Sequence, residues 1–297
     1  MDLVRQVCKC CFLACISLII APLPAGAQIA DAIQRIRNGE WNKAEAALDQ
    51  SPSADLSTVY WKAYVRFRTG RYSEAVSLIA QYLEKKPDSA GARKILGLCL
   101  FMQGRPGEAE NELQRATELD GSDPEALYYL GRIHFNRNDA PEALRIFERL
   151  VVIDKASVRG YNHLGQALEA LSRFDEAREA YRKAIDLERT QPAKSEWPYF
   201  NLGVLYLKEG RAAEAIGLLR EALERNNNWP EAKTQLAVAL FSSNQYEDAR
   251  KVLAEILRDN PKNADAHYQM GRLLLKLGNS DEARRHFEEF ESLRKRP

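Results

Sequence analysis

The sequence predicts an all-α solenoid of paired helices, and three observations carry that prediction. A 34-residue spacing recurs along most of the chain, two columns of small residues stand twelve apart in every repeat, and a helix-terminating residue lies between them. Stacked helical hairpins satisfy all three, because each hairpin buries its apolar face only against its neighbours.

The first column is the alanine of a Glu-Ala or Asp-Ala pair: Ala75, Ala109, Ala143, Ala177, Ala215, Ala249 and Ala283, spaced by 34, 34, 34, 38, 34 and 34 residues. Twelve residues before each stands Ala63, Gly97, Gly131, Gly165, Gly203, Ala237 or Gly271. The repeats in phase are 56–89, 90–123, 124–157, 158–195, 196–229, 230–263 and 264–297. The fourth holds a four-residue insertion within ERTQPAKSEWP, read as a longer loop, with a hinge at Pro192 as the alternative.

Each repeat shows two helical patterns. The second has apolar residues at i, i+3/i+4 and i+7, such as Ala143, Phe147 and Leu150, the stripe of a helix facing another helix. Between the two helices stand Gly70, Gly104, Asn138, Ser172, Gly210, Asn244 and Gly278. Six of these seven are Gly or Asn, the residues suited to the left-handed conformation that closes a helix. Asp123-Pro124 and Asp139-Ala140-Pro141 supply a capping side chain and an early proline at helix starts. The small columns mark where the helices of one hairpin cross closely.

Upstream, residues 28–55 hold a degenerate hairpin, with Ala32 and Ala44 twelve apart around Gly39-Glu40-Trp41, expected to cap the array. Residues 1–27 have the plan of a secretory signal peptide: Arg5 and Lys9, an apolar run from Cys10 to Ala21, and Ala25-Gly26-Ala27 before the expected cleavage. Twelve apolar residues are too few for a spanning helix, which needs about 20. The chain is therefore expected to be exported, periplasmic or extracellular, with retention of the leader as a membrane anchor or lipidation at Cys15 as alternatives. Without the leader, Cys99 is the one cysteine left, and its place in ILGLCLF reads as a small buried hydrophobe.

With Leu-Gly at Leu96-Gly97, Leu130-Gly131, Leu164-Gly165 and Leu202-Gly203, alanine twelve residues on, and Pro87 and Pro261 near repeat ends, the unit resembles the tetratricopeptide repeat. The resemblance covers residues 56–297 and implies a right-handed superhelical solenoid of antiparallel helix pairs. It departs from the family pattern at Ala63 and Ala237, and at Tyr82, Leu150, Ile256 and Phe290 in a third small column. The resemblance also implies that positions 2, 5, 9, 12 and 13 of each repeat line a concave face. Here those positions hold Tyr60, Tyr64, Phe67 and Arg68, then Lys94, Leu98, Phe101 and Met102, then Tyr128, Arg132 and Phe135. They continue with Asn162 and Glu169, Trp197, Phe200 and Lys208, Thr234 and Phe241, and Tyr268, Arg272, Leu275 and Lys276. Ten of the lining residues are aromatic, where chance would place about 3.5. Capture of an extended or helical peptide on aromatic anchors is the expected function. The family's clamp for a chain terminus is not met, because Asn162 and Asn201 are followed by Glu231 and Gln235 where a basic pair should stand.

Nothing in the sequence points to catalysis. The four histidines, His134, His163, His267 and His286, form no metal-ligand motif, and no phosphate loop or nucleophile elbow occurs. An enzyme reading would need an acid, base or nucleophile cluster in the groove, and His163 clustered with Glu169 would revive it. No cofactor or metal is expected. A formal charge of +1 on 297 residues argues against nucleic acid as partner. The reading is a non-enzymatic scaffold for a protein or peptide partner in an extracytoplasmic compartment; a carrier of an apolar small molecule or polymer, or a self-associating protein, are the alternatives.

Overall fold

The computed structural model describes residues 25–51, 55–192 and 194–295, and every helix or strand assigned among them is an α-helix. They fall into two compact units, one ending at Arg105 and the other beginning at Pro106. The division cuts through the expected repeat 90–123, between its two helices.

The first unit holds α1 (Ala25–Arg37), α2 (Trp41–Asp49), α3 (Leu56–Arg68), α4 (Tyr72–Lys85) and α5 (Ala90–Met102). The expected leader lies outside the described residues except for 25–27, which open α1. The helices α1 and α2 form a hairpin, with Ala32 and Ala44 fully buried where they meet. Glu45 of α2 receives Arg66 of α3 and the Arg71 guanidinium (3.0 Å), tying the hairpin to the following pair.

The second unit runs α6 (Pro106–Leu119), α7 (Pro124–Asn136), α8 (Ala140–Ile153), α9 (Val158–Ala170), α10 (Phe174–Thr190) and α11 (Trp197–Lys208). It continues with α12 (Ala212–Arg225), α13 (Pro230–Ser242), α14 (Tyr246–Asp259), α15 (Ala264–Lys276) and α16 (Ser280–Arg294). Within each unit consecutive helices pack as antiparallel pairs, and each pair packs on the next.

Five of the seven first helices of the repeats start on side-chain caps, and α11 and α13 start on a proline in the first turn without one. Asp55, Ser89, Asp123, Ser157 and Asn263 each accept from an N–H of the first turn. Their ends are equally regular: residues 39, 70, 104, 138, 172, 210, 244 and 278 all have positive φ, between 58° and 86°. The next N–H then reaches back to a carbonyl of the last helical turn, as Arg71 does to Arg66 (2.8 Å) and Arg173 to Leu168 (2.9 Å). Ser172, the residue without suitable stop chemistry, adopts the same conformation at φ 59° because the hairpin on either side enforces it. A serine there carries a Cβ strain of about 1–2 kcal/mol that glycine escapes, offset in part by glycine's greater freedom when unfolded. Ser172→Gly is therefore expected to stabilise by about 0.5–1 kcal/mol, read as a higher urea midpoint.

The small column on the first helices has a partner-specific logic. A Cβ on Gly131 would stand 2.6 Å from the Phe147 ring, on Gly165 2.5 Å from Tyr181, and on Gly271 2.8 Å from Phe287. These three glycines stand opposite rings, whereas Gly203 stands opposite Leu219, whose Cγ a Cβ would meet at 3.0 Å. Ala63, one of the departures from the family pattern, packs in one cluster with the smaller Ile79, which leaves room for its methyl.

The four-residue insertion is mainly helix, which corrects the loop expectation. With 17 residues α10 is three longer than the 14 of α8 or α12, and the added turn begins at Glu188. That carboxylate has no exposed surface and accepts from Arg225 through Nε and Nη2, both at 3.1 Å, and from the Tyr199 hydroxyl at 2.7 Å. The extra turn is pinned to α12 by the ion pair with Arg225 and to α11 by the hydrogen bond from Tyr199.

Candidate functional site

In the first unit the aromatic positions of α3 form a continuous ring contact. Tyr64 lies 5.8 Å from Trp61, 6.4 Å from Trp41 and 6.5 Å from Phe67, and Tyr60 lies 5.3 Å from both Trp61 and Tyr82. Gly91 makes room for the Tyr60 hydroxyl, which a Cβ there would meet at 2.7 Å. Arg68 is exposed, lies 4.7 Å over the Trp41 ring and donates to the Tyr64 hydroxyl at 2.9 Å. Between α1, α2 and α3 these side chains line an open cleft of about 780 Å³. On α5, Lys94 and Phe101 are half-buried and Met102 is 46% exposed. Leu98, expected in the lining, is instead core.

The second unit presents a different set. Trp197 is 48% exposed at the start of α11, 4.8 Å from Trp229, whose ring lies 4.5 Å from Phe200. Tyr268 is exposed on α15 beside Phe290 (5.1 Å), and Arg272 lies over the Phe241 ring at 5.3 Å. Phe135 is half-buried, as is Arg132, which lies 5.4 Å from the Tyr128 ring.

Several expected contact residues are spent internally. Tyr128 is buried, with its hydroxyl 3.2 Å from His163 Nε2 and the Arg159 guanidinium 4.2 Å over its ring. Asn162 is buried and accepts from the Asn201 amide at 2.9 Å, so the two asparagines satisfy each other. Thr234 is buried and donates to the Pro230 carbonyl at 2.9 Å. Tyr128, Asn162 and Thr234 thus support the face from beneath, and of the ten rings only Trp197 and Tyr268 are more than a third exposed. Aromatic residues absent from the expected set, among them Trp41, Trp61, Tyr82, Trp229 and Phe290, complete the ring clusters. Trp41 belongs to the hairpin before the first full repeat and Trp229 to a loop, so a mapping confined to first-helix positions passes over both.

The groups capable of chemistry are committed elsewhere. Burial pushes the Cys99 thiol up to about 12 and, helped by Arg132 and Arg159, holds His163 down at about 4. Glu169 accepts from Tyr181 (2.9 Å) and Lys208 (2.6 Å). His267 and His286 bring their Nδ1 atoms to 2.9 Å, with His267 Nε2 on the Pro261 carbonyl at 3.0 Å. Among the described residues no group of three or more His, Cys, Asp or Glu could hold a metal, and no helix is long and apolar enough to cross a membrane.

Comparison with known proteins agrees with this architecture. Residues 60–124, 103–158, 156–228, 206–261 and 240–289 each match the tetratricopeptide repeat. The chain is 23% identical over 269 residues to the Protein CTR9 homolog of Arabidopsis thaliana, covering 77% of this chain and 25% of that one. Across several such curated relatives it spans between about a fifth and three-fifths of their length. Among solved structures, Pseudomonas aeruginosa pilF superposes with a TM-score of 0.60 at 22% identity, covering 69% of this chain and 91% of that one. The TPR protein YrrB superposes with a TM-score of 0.52 at 20% identity, covering 61% and 91%. Repeat matches from residue 60 to 289, on helix pairs that all turn through the same left-handed residue, make the chain a member of the tetratricopeptide repeat family.

Proposed function

We propose that the chain is a non-enzymatic scaffold that holds a partner protein or peptide on the aromatic faces of its first helices, in an extracytoplasmic compartment. The observation that carries this reading is the exposure of large apolar side chains at the mapped positions. Trp197 (48%), Tyr268 (39%) and Leu275 (57%) stand out of the second unit, and Met102 (46%) out of the first. Such groups gain about 25 cal/mol for each Å² that a partner covers, and Trp and Tyr are favoured as binding anchors. YrrB is described as having an unusual peptide-binding site, which makes peptide capture a reasonable analogy. The export part of the reading rests on the basic, apolar and small-residue segments of residues 1–27.

The test is cross-linked affinity capture from the native envelope and secreted fractions. The full chain is compared with a Trp197→Ser, Tyr268→Ser variant shown by circular dichroism to be folded. A protein captured by the first and lost with the second is the expected result. Equal capture by both overturns the site, and a stoichiometric apolar compound extracted from the purified chain would replace the scaffold with a carrier. N-terminal sequencing of the native protein is expected to begin at Gln28.

A further inference from the structure

We infer that the cleft between α1, α2 and α3 binds a short acidic segment of a partner protein, one aromatic or long aliphatic side chain seated among the rings and flanking carboxylates on Arg37 and Arg68. This deepens, and rests on, the scaffold reading.

The walls are Trp41, Tyr60, Trp61 and Tyr64, all half-buried, so their faces are already partly dehydrated and a planar or aliphatic group entering between them displaces little ordered structure. The cleft's volume of about 780 Å³ exceeds what one side chain needs. The cleft is open, and the ring series of α3 runs on from Tyr64 to Phe67, 6.5 Å away, which suits a chain passing through better than an enclosed small molecule.

Charge decides which chain. Both ionised side chains in the lining are guanidinium groups, Arg37 and Arg68, and no Asp or Glu lines the cleft. Neither arginine has a carboxylate partner among the described residues. The acids of the same hairpin are taken: Asp31 by Arg35 at 2.7 Å and Glu40 by Lys43 at 2.9 Å. Arg68 is also positioned for the task. Its guanidinium carbon lies 4.7 Å from the centre of the Trp41 ring and one N–H goes to Tyr64, so the remaining N–H donors are available to receive a carboxylate while the ring and the hydroxyl hold the group in place. A basic segment would meet two like charges, and the chain's own leader, with Arg5 and Lys9 against Asp2, carries the wrong sign.

The four tryptophans divide evenly, two in this cleft and two beside α11, so tryptophan emission can isolate the site. The full chain bearing Trp197→Phe and Trp229→Phe is titrated with four probes. These are a doubly capped acidic pentapeptide (EDFDE), its basic counterpart (KRFRK), a version without the ring (EDGDE), and 3-phenylpropionate. Saturable change with EDFDE, weakened at least tenfold by Arg37→Ala with Arg68→Ala, and weakened again by raised salt, is the expected result. Both arginines are exposed, and circular dichroism checks that the variant stays folded. Equal or tighter binding of KRFRK overturns the charge selection, equal binding of EDGDE overturns the ring contribution, and equal binding of 3-phenylpropionate overturns the peptide. Capture of a partner through Trp197 and Tyr268 with no response at Trp41 and Trp61 overturns this site and leaves the scaffold reading standing; silence in both overturns both.

Discussion

Arg225→Met is expected to destabilise the second unit by about 3 kcal/mol, because it leaves the buried Glu188 carboxylate without its hydrogen-bonded cation and with only the more distant Lys194, at 3.8 Å. The parent arginine makes two bonds to that carboxylate at 3.1 Å, donates to the Tyr199 hydroxyl at 2.7 Å, and lies 3.8 Å over the Tyr199 ring. Methionine fills part of the space and supplies none of the donors. Adding Glu188→Gln removes the stranded charge and keeps an acceptor for Tyr199, so the double variant is expected to recover most of the loss. Urea unfolding followed by circular dichroism measures both, and a single variant within 1 kcal/mol of the parent would show that the pair contributes little. The same site gives a pH dependence. Burial alone would raise the Glu188 pKa, but the hydrogen bonds from Arg225 and Tyr199 outweigh it and hold the group below the ordinary glutamate value. The unfolded chain then binds the proton more readily than the folded one. The stabilisation is complete above the unfolded value of about 4.3 and is lost as pH falls through the folded value. Glu188→Gln is expected to flatten this part of the acid limb.

A matched pair of glycine substitutions should move stability in opposite directions. Gly165→Ala sets a methyl 2.5 Å from the ring of Tyr181, which is fully buried and anchored to Glu169 by its hydroxyl, so neither partner can give way cheaply. Overpacking of this kind costs about 1–3 kcal/mol, against the gain of about 1 kcal/mol that alanine brings to a helix interior. A net loss of up to about 2 kcal/mol is expected. Gly217 on α12 has nothing within 4 Å of its would-be Cβ, so Gly217→Ala should show only the propensity gain, up to about 1 kcal/mol. Urea midpoints of both variants decide it, and stabilisation by Gly165→Ala would show that Tyr181 can move aside.

The ring-against-glycine rule shows how far the repeat pattern could be read in advance. The column itself is visible as a spacing, but why Ala63 is tolerated where Gly165 is required depends on the residue sixteen positions later, Ile79 in one case and Tyr181 in the other. Ser172 teaches the converse. Its residue type argued against a left-handed turn, yet the helices on either side of it closed as the others do, because tertiary packing outweighs one residue's preference of about 1–2 kcal/mol. For the candidate site, the rings of α3, α11 and α15 were named by position, but burial of Tyr128 and the coupling of Asn162 to Asn201 depend on neighbouring helices.

What the sequence determined alone is local and periodic: the 34-residue unit, the helix pairs, their turns, the alanine and glycine columns, and the hairpin around Gly39. These follow from short-range preferences and from a hydrophobic period that any reader of one strand of text can count. The tertiary structure decided how the mapped side chains are used. It turned the insertion into a helical turn that begins at a buried ion pair, exposed Trp197 and Tyr268 while covering Tyr128, and brought Trp41 of one hairpin against Arg68 and Tyr64 of the next. Exposure and pairing are sums over contacts made by residues far apart in the chain, and a repeat spacing carries no record of which neighbour will fill each space.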